Sequence, residues 1–208
     1  MNSDDAIIFV VDDDPSVRIA LDRLIKSLGF TVRTFDTALS FLSSATSDAP
    51  CCLILDIRMP HMSGMELQEE MGRRGLNMPI IFITGHGTIS MSVRAMKGGA
   101  TDFLEKPFEE QHLLDTMQAA IEKDRQSKRK QSEIRHIQER ADLLTSRERE
   151  VFLLVVAGRM NKQIADELGV SEKTVKAHRA HMMEKMKAES LAALVRMAEL
   201  IGIFREPD

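Results

Sequence analysis

Short, mainly apolar runs recur along the first half of the chain, at Ala6–Val11, Phe30–Phe35, Cys51–Leu55, Pro79–Ile83 and Asp102–Leu104, and each precedes a segment with helical spacing. The alternation predicts five strand–helix units, and therefore a parallel sheet covered by helices on both faces. The uninterrupted runs Cys51–Leu55 and Ile80–Ile83 predict central strands, since only a strand buried on both faces dispenses with polar positions. From Glu122 to Ser132 the rhythm stops: no apolar residue, proline or glycine occurs, so the preceding helix can continue as a solvated linker with nothing to bury. Beyond it Ile134, Ile137, Ala141 and Leu144 recur at spacings of three, four and three. Such a short seam serves either a helix pair in a dimer or a helix leaning on the C-terminal domain.

The remaining pattern is helical throughout. Leu144–Glu150 offers a capped start, Gly158 ends that helix, Asn161 caps the next, and Gly169–Ser171 makes a turn before a third. A short helix, a glycine turn and a longer basic helix predict a helix-turn-helix. At roughly 100° per residue, Val175, His178, Met182 and Met186 fall on one side of the third helix and Lys173, Lys176, Ala177 and Ala180 on the other. The outward strip is basic with small residues between, so its backbone can approach base edges in a major groove, with Arg179 and His181 flanking it where phosphates would lie. Leu191, Leu194, Val195 and Ala198 line one face of a final helix, and part of that face is expected to cover its own domain.

Composition narrows the class. A chain of 208 residues with 43% apolar and 29% charged residues is that of an ordinary globular protein long enough for two domains, which excludes disorder, collagen and disulfide scaffolds. No apolar run approaches the roughly 18 residues of a bilayer span, and Asp4 and Asp5 stand where a signal peptide would be basic, so a cytoplasmic protein with no membrane partner is expected. Cys51 and Cys52 are neighbours in an apolar run and point to opposite faces of a strand, as buried thiols without a redox role. The net charge of −4 conceals an asymmetry: residues 1–121 carry −7 and residues 122–208 carry +3. A basic C-terminal half admits a nucleic-acid partner.

Ligand sites in parallel sheets lie at the carboxyl ends of the strands. There the chain places Asp12, Asp13 and Asp14 after the first run, Asp56 after the third, Thr84 after the fourth and Lys106–Pro107 after the fifth. Asp14 before Pro15 reads as a helix N-cap with proline at the first helical position. Clustering Asp12, Asp13 and Asp56 costs energy unless a cation sits among them, and hard oxygen ligands suit Mg²⁺.

The segments Val10–Asp14, Leu53–Pro60 followed by Ser63–Gly64, Ile83–Gly85 and Lys106–Phe108 resemble, in that order, the receiver domain of two-component response regulators. The resemblance implies a flavodoxin-like α/β fold with a five-stranded parallel sheet of order 2-1-3-4-5. It also implies that Asp56 is the phosphoacceptor for a sensor histidine kinase. Mg²⁺ would be held by Asp13, Asp56 and the backbone carbonyl of Arg58, with Asp12 acting mainly through water. Lys106 would pair with the phosphoryl group, Thr84 would hydrogen-bond it once attached, and Lys106–Pro107 would be cis. Thr84 and Phe103 would form the switch, read out on the fourth helix, about Ile89–Lys97, through contacts such as Val93 and Met96. Phe103 has no hydroxyl, so its rotamer rests on packing alone.

Leu144–Glu148, Asn161–Ala165 and Val170–His178 resemble the LuxR-type helix-turn-helix, and coupled to a receiver they resemble the NarL/FixJ class of transcription regulators. The likeness implies base reading by Lys176, Ala177 and Ala180 and phosphate contacts by Lys162, Lys173, Thr174 and Arg179. Ala180 departs from relatives with a long basic side chain there, which implies a different recognised sequence. The expected domains are a receiver at 1–121, a helical linker at 122–142 and an all-α DNA-binding domain at 143–208. The expected function is a regulator that dimerises on phosphorylation, in part through the final helix, and binds promoter DNA, with RNA polymerase as a further partner. A haloacid-dehalogenase-type phosphatase would need a second acid two positions after Asp56, and Arg58 stands there, so the chain is not expected to be a turnover enzyme.

Overall fold

The five apolar runs form five parallel strands in the computed structural model, which describes residues 6–44, 47–85 and 87–203; Asp4 and Asp5 lie outside the described residues. They are β1 (Ile7–Val11), β2 (Thr31–Phe35), β3 (Cys51–Asp56), β4 (Ile80–Thr84) and β5 (Asp102–Glu105), in the order β2-β1-β3-β4-β5. Strand periodicity sorts the core into two layers. Phe9, Val11, Cys51, Leu53, Leu55 and Phe82 face α2 (Ala38–Ser44), α3 (Gly64–Arg73) and α4 (Ile89–Lys97). Ile8, Val10, Cys52, Ile54, Ile81 and Ile83 face α1 (Pro15–Ser27) and the first turns of α5 (Glu110–Asp142). Cys51 and Cys52 therefore lie on opposite faces, and burial pushes the Cys51 thiol up to about 11 and the Cys52 thiol higher still.

Three strands, β3, β4 and β5, run one residue further than their apolar runs. Asp56 closes β3 opposite Ile83, and Thr84 closes β4 opposite Glu105. The ladder pairs backbone groups whatever the side chain, so a polar residue extends a strand that hydropathy ends too early.

The chain divides into two compact units, 1–128 and 129–208. In the first, α5 is not merely solvated beyond Ile121. Asp124 is 2% exposed; its carboxylate accepts the Cys51 N–H at 2.8 Å and pairs with Lys128 Nζ at 2.8 Å. Lys128 also donates to the Ala49 carbonyl at 2.6 Å. The expectation that this segment buries nothing is thus corrected: a paired carboxylate is buried, which a search for apolar residues does not register.

In the second unit α6 (Ser146–Val156), α7 (Asn161–Leu168), α8 (Glu172–Met186) and α9 (Leu191–Leu200) pack around one core, which Ile137, Ala141 and Leu144 of the preceding helix and turn join. The short seam thus covers its own domain. Thr145 caps α6 with Glu148 in a reciprocal capping box, and Gly169 adopts φ 66°, a left-handed turn before α8. Asn161 is not the cap of α7. Met160 occupies that position, with its N–H donated to Gln163 Oε1 at 2.9 Å, and Asn161 is the first helical residue. On α9, Leu194 and Ala198 are buried and Leu191 is 43% exposed. No helix among the described residues is long and apolar enough to cross a membrane.

Candidate functional site

The carboxyl rim of the sheet brings two buried acids and a lysine together. Asp12 follows β1 and is 1% exposed; Asp56 ends β3 and is 7% exposed. Lys106, just past β5, donates its ammonium to Asp12 Oδ2 at 2.9 Å and to Asp56 Oδ1 at 3.1 Å, so one cation holds two acids from separate strands. Each acid has a second anchor. The Asp14 N–H donates to Asp12 Oδ1 at 2.9 Å and the Arg58 N–H to Asp56 Oδ2 at 2.7 Å. Burial pushes the Asp56 carboxyl above the usual range, against the lowering influence of Lys106. For Lys106 burial works to lower the value, but the hydrogen bonds and charges of Asp12 and Asp56 outweigh it and the ammonium is held above its ordinary value.

Thr84 is buried at the end of β4, and its carbonyl accepts the Lys106 N–H at 2.8 Å. Phe103 on β5 is half-buried against the α3–α4 side of the core. The Lys106–Pro107 bond is cis. Asp14 caps α1 through the Ser16 N–H at 2.8 Å. Asp13 is exposed, and no three His, Cys, Asp or Glu side chains converge as a ligand set among the described residues. In the structure Asp12 and Asp56 meet around the Lys106 ammonium, with Asp13 beside them in the chain and facing solvent. What offsets the repulsion between Asp12 and Asp56 is the lysine.

Two residues support this rim without having been expected. Arg18 donates from Nη1 to the Asp12 carbonyl at 2.7 Å, and nothing in its neighbourhood signals that. Gly64 begins α3 so close to the Asp56 carbonyl that a β-carbon there would overlap it, while its own N–H donates to the Ile57 carbonyl at 2.9 Å. The glycine after Ser63 was readable in the motif, but its reason is the close approach.

In the second unit α8 is seated by Val175, Met182 and Met186, all fully buried, and by Lys185, whose ammonium reaches Glu148 Oε2 at 2.6 Å and the Leu143 carbonyl at 3.2 Å. The Lys185 hydrogen bond and the Thr145 N–H hold the Glu148 carboxyl down at about 2. The opposite face is open: Lys162 on α7 and Lys173, Lys176, Ala177 and Ala180 on α8 are exposed. Thr174 is half-buried, and its hydroxyl lies 2.8 Å from that of the capping Ser171. Arg179 is half-buried and donates from Nη1 to Asn161 Oδ1 at 3.1 Å. The asparagine expected to cap α7 instead aims the arginine expected to hold a phosphate. His178 is half-buried on the packing side and His181 is exposed.

Residues 8–118 match the response regulator receiver domain and residues 142–198 the bacterial regulatory proteins of the luxR family. Over 198 residues the chain is 50% identical to nodulation protein W of Bradyrhizobium diazoefficiens, covering 95% of this chain and 87% of that one. It is 44% identical to the response regulator protein TmoT of Ectopseudomonas mendocina (96% and 90% covered) and 43% identical to the transcriptional regulatory protein FixJ of Rhizobium meliloti (93% and 95% covered). Among solved structures it is similar to the response regulator StyR, with a TM-score of 0.85 at 47% identity over 94% of this chain and 98% of that one. The family implies a sensor kinase upstream and DNA as the target. With an acidic rim on a 2-1-3-4-5 sheet, a basic helix-turn-helix face, and relatives that match along nearly the whole chain, this protein belongs to the two-component response regulators that join a receiver to a LuxR-type DNA-binding domain and regulate transcription.

Proposed function

We propose that Asp56 accepts a phosphoryl group from a phosphohistidine of the sensor histidine kinase, and that the acylphosphate so formed turns the chain into a DNA-binding dimer. The observation that carries this reading is the Lys106 ammonium shared between Asp12 and Asp56 at 2.9 and 3.1 Å. In the transfer a nitrogen–phosphorus bond breaks and an oxygen–phosphorus bond to the Asp56 carboxylate forms, with little covalent chemistry left for the protein beyond position and charge. The Arg58 N–H orients the Asp56 carboxylate, Lys106 meets the incoming negative charge, and the Thr84 hydroxyl hydrogen-bonds a phosphoryl oxygen. Asp12 keeps Lys106 in place.

Mg²⁺ fits this donor set. The rim offers oxygen ligands, and the carboxylates of Asp12 and Asp56 share the single Lys106 ammonium with Asp13 next in the chain, an excess of negative charge that a divalent cation offsets. Asp13, Asp56 and the Arg58 carbonyl would hold it, with Asp12 acting through water. When bound it neutralises charge on the phosphoryl oxygens.

Relay to the surface runs through Thr84 and Phe103 to α4. There Ile89, Val93 and Met96, at 85%, 47% and 46% exposure, leave an apolar stripe of i, i+4, i+7 spacing facing solvent, which supports pairing with a second copy. The dimer presents two copies of α8 to half-sites about one helical turn apart, with Lys176, Ala177 and Ala180 at base edges and Lys162, Lys173, Thr174 and Arg179 on phosphates. The exposed Leu191 on α9 supports a second contact between DNA-bound copies. RNA polymerase is the further partner of such a complex, and the cytoplasm is where kinase, polymerase and promoter meet. The chain is not a turnover enzyme, because Arg58 occupies the place where a phosphatase of this chemistry carries its second acid.

Sedimentation and operator-selection binding, with and without beryllofluoride and Mg²⁺, test the reading. Wild type is expected to dimerise and to bind DNA at least tenfold more tightly with beryllofluoride, while Asp56→Asn responds to neither. Phosphate-ester turnover by the purified protein, or an Asp56→Asn variant that responds like wild type, would overturn it.

A further inference from the structure

Gly87 lies in the β4–α4 loop, three residues past Thr84. A β-carbon built on it would stand 3.0 Å from Phe103 Cε1, 3.2 Å from Phe103 Cζ and 3.4 Å from the Thr84 methyl carbon. Both switch residues thus border the space that a side chain at 87 would fill. Carbon atoms pack best at about 3.5–4.0 Å, so even a methyl group there forces a movement of a few tenths of an ångström. The strand beneath the ring is the part least able to move. Phe103 pairs with Phe82 across the ladder, and its N–H donates at 2.8 Å to Asp102 Oδ1, whose other oxygen accepts the Thr116 hydroxyl at 3.1 Å. The ring, which turns about its own side-chain bonds and is only half-buried, is what yields.

Gly85 provides the contrast. It lies in the same loop, and a β-carbon there would meet nothing within 4 Å. Neither glycine has a positive φ, so alanine at either position differs in its contacts rather than in backbone strain.

We propose that Gly87 is a positioning residue of the switch. Its missing side chain lets the Phe103 ring rest against the loop beside Thr84, and any side chain at 87 displaces the ring and uncouples the α4 face from phosphoryl chemistry at Asp56. This rests on the reading of Thr84 and Phe103 as the relay.

The test uses the full chain with labelled phenylalanine rings and threonine methyls, as wild type, Gly85→Ala and Gly87→Ala, observed by NMR with and without beryllofluoride and Mg²⁺. Without beryllofluoride, Gly87→Ala is expected to move the Phe103 and Thr84 resonances while Gly85→Ala leaves both near their wild-type positions. With it, at a concentration where wild type is half dimeric, the dimer fraction of Gly87→Ala falls at least fivefold. Coincident resonances in Gly87→Ala and wild type, equal displacement by Gly85→Ala, or a displaced ring with undiminished dimerisation would each overturn the proposal. If Gly87→Ala does not fold, adding Phe103→Leu, which removes both crowded ring carbons, must restore folding, and failure to do so overturns it too. A wild type that ignores beryllofluoride would sink the phosphoryl-switch reading, while the resonances of the unmodified protein still decide the Gly87 contact.

Discussion

Glu148 is the residue through which the recognition helix is most open to a quantitative test. Its carboxyl is held at about 2 against an ordinary 4.5, chiefly by the Lys185 ammonium at 2.6 Å and then by the Thr145 N–H at 2.8 Å. A gap of that size corresponds to about 3 kcal/mol if undiluted, at 1.36 kcal/mol per unit. The Lys185 side chain is 35% exposed, so solvent screens part of the attraction and about 1–2 kcal/mol is the reasonable share. The folded value is depressed, so this stability is present above the unfolded value near 4.5 and disappears as the pH falls from there toward about 2. Glu148→Gln removes it while keeping a similar shape. Amide exchange on the full chain reads the loss region by region: at neutral pH protection in α6 and α8 should fall about 5–30-fold, with the receiver amides unchanged as an internal control. Protection in Glu148→Gln equal to wild type at neutral pH, or a deficit that persists undiminished at pH 2, would refute the assignment of this stability to the ion pair.

Gly64→Ala should strain the start of α3 against the Asp56 carbonyl, destabilising the receiver by about 1–3 kcal/mol in chemical denaturation and slowing Asp56 phosphorylation by acetyl phosphate; an unchanged rate and midpoint would show that the close approach relaxes freely. On the DNA face Arg179→Ala should weaken binding about equally for all sequences and reduce the salt-dependence slope by about 1, with Asn161→Ala reproducing part of this because Asn161 aims the guanidinium. Lys176→Ala should instead relax base preference at one position by about 1–3 kcal/mol in operator selection, and equal losses on all sequences would return Lys176 to the phosphates.

Much of the rim was legible because a parallel sheet turns sequence order into spatial order. A polar residue at the end of an apolar run has one place to go, and Asp56, Thr84 and Lys106 went there. Asp14 was legible from Pro15 alone, since its role is local. Asp12 and Asp13 could not be told apart from spacing: one backbone position decides that Asp12 is buried against Lys106 and Asp13 faces solvent. The pattern also missed what lies far apart in the chain. Cys51 and Asp124 are 73 residues apart and Glu148 and Lys185 are 37 apart, and no periodic signal records which polar side chain will find which partner.

Among the described residues three lysines pair with buried carboxylates, and the stoichiometry of these contacts separates what holds the fold from what acts. Lys128 answers Asp124, and Lys185 answers Glu148, one cation to one acid with backbone N–H groups completing each carboxylate. Such pairs are balanced, and the Glu148 carboxyl sits far below its ordinary value, as a satisfied acid does. At the receiver rim one ammonium answers two carboxylates, with a third acid, Asp13, next in the chain to one of them. There the Asp56 carboxyl is raised by burial even though it touches a cation. An acid left short of positive charge at the end of a central strand costs stability, and a chain built only to fold would place a balanced pair there as it does elsewhere. The deficit is relieved by positive charge arriving from outside, such as a divalent cation would bring, and the imbalance, more than the presence of aspartates, is what supports the proposal that phosphoryl transfer takes place at this rim.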